Sequence, residues 1–167
     1  MTVIGVDPGV HGAIALMSGD GRLLAVADMP TVSVRIGKTQ RDRINGAALA
    51  QTLRDWSPAH AAVERIAPRP TDTPMTAGYL CFAAGIVEGV ISALGIPMTL
   101  AGTGDWRKAA GIKLSPDMDY KSRKEASRLR ALQLFPMQAA MFARKLDSDR
   151  AESALIAHWL VQRGRGE

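Results

Sequence analysis

TVIGVDPGVHGAIAL, Thr2 to Leu16, is an apolar stretch with a carboxylate in its middle. Val3–Val6 reads as a buried strand that ends on Asp7, and Pro8, Gly9 and Gly12 supply turn residues before His11–Met17 resumes as a second strand. A third strand, Arg22–Met29, follows the turn SGDG. Three consecutive strands joined by short turns predict an antiparallel run. An Asp-Pro-Gly sequence forms turns in its own right. A carboxylate at the end of a core strand also suits a ligand held on a rigid support.

Downstream the pattern changes. Thr31–Asn45 is polar and basic and reads as a loop. Ala47–Trp56 reads as a helix stopped at Ser57-Pro58, Ala61–Glu64 as a short buried strand, and APRPTDTP as a Pro-rich loop. Thr76–Leu94 reads as a long helix ended by Gly95, Pro97–Leu100 as a strand, and Gly104–Ala110 as a short helix. After the loop GIKLSPDMDY, the chain predicts helices over Ser122–Phe135 and Asp149–Gln162. Three antiparallel strands followed by alternating helices and strands imply an α/β fold, one mixed central sheet with later parallel strands and helices on both faces. At 167 residues, 1–167 is expected to be a single domain.

The chain has 21 Lys and Arg against 16 Asp and Glu, a net charge of +5. The cations clump, four between Arg35 and Arg43 and five between Lys121 and Arg130. Such clusters serve as phosphate-binding faces or as solvated surface. The single cysteine, Cys81, excludes an intrachain disulfide and a cysteine zinc site, and its apolar neighbours suggest a core position. A signal-peptide pattern is not evident, and the apolar runs fall short of the roughly 18 residues of a membrane span. These features suit a cytoplasmic protein.

Asp7 and Glu64 both end buried strands, and in an α/β sheet neighbouring strand ends converge on a ligand site. In LDSDRAESALIAHWL, Leu146–Leu160, Asp149 and Glu152 lie three apart on one helix face. They fit a capping box, with Asp149 capping the helix. Yet Ala151, Ala154, Leu155, Ala157 and Leu160 form the apolar surface, which sets Glu152 beside the buried stripe. Converging carboxylates repel one another unless cations compensate. An all-oxygen set favours Mg²⁺, with Mn²⁺ as substitute, and two such ions support phosphodiester hydrolysis.

IGVDPGVHGAIAL, AAVERI, KEASRLRALQLFP and DRAESALIAHWL together resemble the RuvC-type Holliday-junction resolvases, above all their phage and prophage branch. The resemblance spans nearly the whole chain in order. It implies an RNase H-like fold, a homodimer, and Mg²⁺-dependent nicking of four-way DNA junctions in recombination and repair, in a bacterial cell or phage-infected host. By position, Asp7 and Glu64 match the first two catalytic acids and Glu152 the last. The fourth acid falls on Asp149, with Asp147 as the alternative. Lys124, or alternatively Lys121, matches the basic residue that approaches the scissile phosphate. Lys121, Arg123, Arg128 and Arg130 are expected on DNA, as are Arg65 and Arg69.

One departure stands out. The bacterial resolvases carry an aromatic wedge shortly after the second acid, and Ala67 occupies that region here. That leaves open a broader branched-DNA endonuclease, and also a junction-binding protein that does not cut. Sugar kinases and actin-like ATPases begin similarly, but need two such domains. The helix Thr76–Leu94, with Gly78, Gly85 and Gly89 beside Tyr79 and Phe82, is a candidate dimer interface, or else it packs on its own sheet. Trp56, Trp106 and Trp159 are expected in packing, and His11, His60 and His158 in structural roles.

Overall fold

The computed structural model describes residues 1–166. In chain order come β1 (Thr2–Asp7), β2 (Ala13–Ser18), β3 (Leu23–Asp28), β4 (Thr31–Ile36), β5 (Thr39–Ile44), α1 (Gly46–Trp56) and β6 (His60–Glu64). Then follow α2 (Pro74–Ala93), β7 (Met98–Ala101), α3 (Thr103–Ala109), α4 (Tyr120–Leu134) and α5 (Ser148–Arg165). Two short 3₁₀ segments, Pro136–Phe142 and Lys145–Asp147, lead into α5. The main sheet has the order β3-β2-β1-β6-β7. β1, β2 and β3 are antiparallel, whereas β6 runs parallel to β1 and β7 parallel to β6.

Strand alternation divides the core in two. Ile4, Val6, Ile14, Ala61 and Val63 point to the side covered by Leu49 and Leu53 of α1 and Val87 and Ile91 of α2. Val3, Ala15, Met17 and Ala62 point to the other side, onto α5 with Trp106, Ala131 and Phe142 behind it. Asp7 has the parity of Val3 and Gly5, so it emerges on the α5 side. Gly5 makes that contact close. A Cβ there would sit 2.2 Å from the Ala157 nitrogen and the Ser153 oxygen, so only glycine lets α5 lie directly on β1. Gly12 is held similarly tight, since a Cβ would come 2.0 Å from the Asp7 carbonyl oxygen.

Local signals account for the helix starts. Asn45, Thr73 and Asp119 each accept a hydrogen bond from the amide three residues on, capping α1, α2 and α4. Pro74 occupies the first turn of α2, where its missing N–H costs nothing. Gly95, at φ +67°, follows the end of α2 as expected. α5 begins one residue before Asp149, which therefore lies inside its first turn and does not cap it. This helix is also more enclosed than a single apolar stripe implies. Glu152, Ser153 and Ile156 are buried along with Ala151, Ala154 and Leu155, because the sheet covers one side of the helix and α3 and α4 the other.

Three expectations are corrected. Thr31–Asn45 is a β-hairpin, β4 paired with β5 around Gly37, and forms a separate two-stranded sheet. Val32 and Ile36 of β4 stay exposed, and Ile44 at the end of β5 is the hairpin's buried core residue. Arg41 and Arg43 of β5 lie over the rings of Tyr79 and Phe82 of α2, with guanidinium carbons 5.7 and 4.6 Å from the centroids. Cys81 is exposed on α2, because the helix turns Ala83, Ala84 and Val87 inward and leaves the position of Cys81 outside. Against the expectation that the apolar runs fall short of a membrane span, α2 is long and apolar enough to cross one by length and composition, while its inward face packs on the sheet core.

Candidate metal centre

Three carboxylates meet where β1 ends against the first turns of α5. One oxygen from each of Asp7, Asp149 and Glu152 lies within 4.8 Å of the others. The strand end places Asp7, and the close β1–α5 approach at Gly5 brings α5 to it. Glu152 is 2% exposed and its carboxylate is fully engaged. Its Oε1 accepts from the Ser127 hydroxyl at 3.0 Å and from the Arg107 guanidinium at 3.3 Å, and its Oε2 accepts from Lys124.

Lys124 of α4 reaches into the middle of the cluster. Its Nζ donates to Asp149 Oδ1 at 2.7 Å and to Glu152, and lies 3.7 Å from Asp7 Oδ2. Burial works against the charge on Lys124, but Glu152, Asp7 and Asp149 outweigh it and hold its pKa above the ordinary lysine range. Asp7 responds in the opposite sense. Burial raises its pKa from 3.8 to about 8; Lys124 opposes this, and Glu152, Glu64 and Asp149 reinforce it. Lys124 and Arg107 do not offset the four carboxylates, Glu64 included, once all are ionised, and a further cation would take up that excess. An all-oxygen donor set suits a hard divalent ion such as Mg²⁺.

Glu64 stands at the neighbouring strand end, one residue past the parallel pairing of Val6 with Val63. Its Oε1 accepts from the Thr103 hydroxyl at 2.8 Å and from the Trp106 indole N–H at 3.0 Å. It faces Asp7 electrostatically, while the close trio is Asp7, Asp149 and Glu152. Asp147 is turned away. It is 2% exposed and accepts from the Arg144 amide at 2.8 Å and its guanidinium at 2.7 Å, which hold its carboxyl below the usual range.

The basic residues divide as well. Arg65, Arg69 and Lys121 are exposed. Arg123 donates to the carbonyls of Met118 and Pro116. Arg128 is buried, paired with Glu125 and donating to the Phe142 carbonyl at 2.8 Å. Arg130 donates to the Ala110 carbonyl at 2.5 Å and to Gln133. The expectation of a DNA-facing basic side of α4 is therefore corrected for Arg128, whose charge is spent on a carbonyl and a carboxylate inside the protein. Ala67 is exposed on the loop after β6.

Thr103, Arg107 and Ser127 went unnoticed in the sequence, and Trp106 counted only as packing. Trp106 is fully buried and also orients Glu64. A tryptophan that needs a partner for its N–H was the available signal; nothing local marked Thr103, Arg107 or Ser127.

The sheet order, the mixed strand directions and the helices on both faces define an RNase H-like α/β fold. Among solved structures, Thermus thermophilus RuvC in complex with a Holliday junction substrate matches over 98% of this chain and 96% of its own, with a TM-score of 0.63 and 17% identity. A further T. thermophilus RuvC structure matches over 98% and 97%, with a TM-score of 0.55 and 17% identity. No protein-family model and no curated protein matches the sequence.

Proposed function

We propose that this protein is a metal-dependent endonuclease that nicks branched DNA, with four-way junctions as its foremost substrate. The observation that carries the reading is the convergence of Asp7, Asp149 and Glu152 at the β1–α5 contact of an RNase H-like fold. The matched RuvC bound to a Holliday junction supports the choice of substrate.

Asp7, Asp149 and Glu152 would hold Mg²⁺, with Glu64 at the adjoining strand end as the fourth ligand. Two divalent ions in such a site supply an activated water and charge for the leaving oxygen. The chain's own part is positioning. Ser127 and Arg107 fix Glu152, and Thr103 and Trp106 fix Glu64. Lys124 carries the compensating charge in the metal-free protein. A divalent cation held by these acids would take over that role and leave Lys124 to meet the nonbridging oxygens of a phosphate. Exposed Arg65, Arg69 and Lys121 are the proposed backbone contacts.

A second copy is proposed to cover α2, where Met75 is 64% exposed, Phe82 46% and Tyr79 40%, and where a Cβ on Gly78, Gly85 or Gly89 would meet open space. Two sites would then face opposite strands of a symmetric junction. The setting is the cytoplasm of a bacterial cell or phage-infected host. Incubating the protein with labelled four-way, three-way, flap and linear DNA tests the reading, with Mg²⁺, Mn²⁺ or EDTA. Metal-dependent nicks in the branched substrates are expected. Equal cutting of linear duplex, or cutting in EDTA, would overturn it.

A further inference from the structure

Beside the acid cluster the surface opens into a groove of about 790 Å³ between the start of α4 and the Lys145–Asp147 turn. Three kinds of side chain meet there. Tyr120, the first residue of α4, is 63% exposed, and Leu146 across the groove is 83% exposed. Lys121 and Lys145 are exposed cations of the same groove. Lys124 and Asp149 line it too and join it to the acid cluster. The Tyr120 ring centroid is 5.8 Å from Lys124 Nζ, and that Nζ is 2.7 Å from Asp149. The aromatic face is therefore within one nucleotide's reach of the carboxylates.

Two large apolar side chains held in water beside a hydrolytic site serve no core. An apolar peptide would cover them but would leave the lysines without partners. A polyanion alone would engage the lysines but leave the ring and the leucine in water. A strand of nucleotides satisfies both, because each unit joins a flat stacking surface to a phosphate. We infer that the groove seats an unpaired nucleotide next to the cleaved phosphate, its base stacked on Tyr120 against Leu146 and its flanking phosphates on Lys121 and Lys145. The inference rests on the nuclease reading and deepens it. The preferred substrate is branched DNA whose branch point carries unpaired bases.

Metal-free binding in EDTA tests this by fluorescence anisotropy. The ligands are a fully paired four-way junction, the same junction with unpaired thymines at the crossover, and a linear duplex. Wild type should prefer the unpaired junction. Tyr120→Ala should weaken that binding about 5-fold or more, the range for loss of one base–aromatic stack, while Tyr120→Phe keeps the preference and duplex binding stays unchanged. With 5-iodouracil at the unpaired position, photocrosslinking should map to Tyr120. A Tyr120→Ala protein with wild-type preference overturns the assignment. So does a loss of dimer mass in that variant, which would make a second copy the occupant. If wild type binds and nicks branched DNA while Tyr120→Ala matches it, the groove assignment alone falls. If wild type nicks branched DNA but binds the paired and unpaired junctions alike, the groove assignment alone falls; if it nicks no branched DNA in Mg²⁺, the nuclease reading falls with it.

Discussion

Replacing Asp7 with Asn should make the metal-free protein more stable and the metal-dependent enzyme inactive. Asp7 carries a pKa raised from 3.8 to about 8, with burial as the main cause. The folded-state value lies above the unfolded one, so protonation favours the fold. That stability is fully present below about pH 4 and is lost as pH rises through about 8. Four units at 1.36 kcal/mol each set a ceiling of about 5 kcal/mol. Water penetration and relaxation around a partly reachable carboxylate should leave about half of it. Asn resembles the protonated acid and carries no such burden. In EDTA, Asp7→Asn should therefore melt higher than wild type by about 5–10 °C near pH 8, at roughly 2–4 °C per kcal/mol for a chain of this size. The gap should close toward pH 4. Millimolar Mg²⁺ should raise the melting temperature of wild type and not of the variant, which should bind junctions and fail to cut them. Differential scanning calorimetry across the pH series, with the cleavage assay alongside, decides the matter. Parallel stability curves for the two proteins would refute the buried-charge reasoning, and wild-type cutting by Asp7→Asn would refute the metal site.

The two acids near the start of α5 should separate by what they lose. Asp149→Asn should abolish Mg²⁺-dependent cleavage with little change in stability. Asp147→Asn should cost about 1.5–3 kcal/mol, the range for a hydrogen bond to a charged group, and leave the folded fraction active. The Asp147 pKa is lowered, chiefly by the hydrogen bond from Arg144, so its stabilisation is present above the ordinary carboxylate range and is lost as pH falls through its folded value. The wild-type advantage over Asp147→Asn should thus widen from acid to neutral pH in thermal melts. Arg128→Ala should lower stability by about 1.5–3 kcal/mol, whereas Lys121→Ala should weaken DNA binding and flatten its salt dependence. A salt titration that shows the reverse would place the DNA face elsewhere on α4. Phe82→Glu puts a charge on the exposed face of α2; if the proposed dimer forms through α2, sedimentation should show the variant as monomer and the wild type as dimer, and equal masses would remove α2 from the interface.

What the sequence determined by itself was local. The strand–turn–strand at Asp7, the capped starts of α1, α2 and α4, and the Gly95 stop depend on residues within a few positions of one another. The apolar runs that close on Asp7 and Glu64 likewise put both at strand ends. The tertiary structure decided whatever depended on partners far along the chain. The β4–β5 hairpin leans on Tyr79 and Phe82 of α2; the alternation of Val32, Val34 and Ile36 was its local signal, masked by the basic residues between them. Whether Asp147 or Asp149 joined the cluster was open in sequence, since both lie near the start of one helix; the pairing of Asp147 with Arg144 turns it away. The basic run of α4 looked uniform, yet Lys124 enters the acid cluster, Arg128 binds the Phe142 carbonyl, and Lys121 stays in water. Sequence spacing sets which residues share a helix face. A charged side chain's use of that face depends on which opposite charge or carbonyl another element brings within hydrogen-bond reach, and only the packing of the helices specifies that.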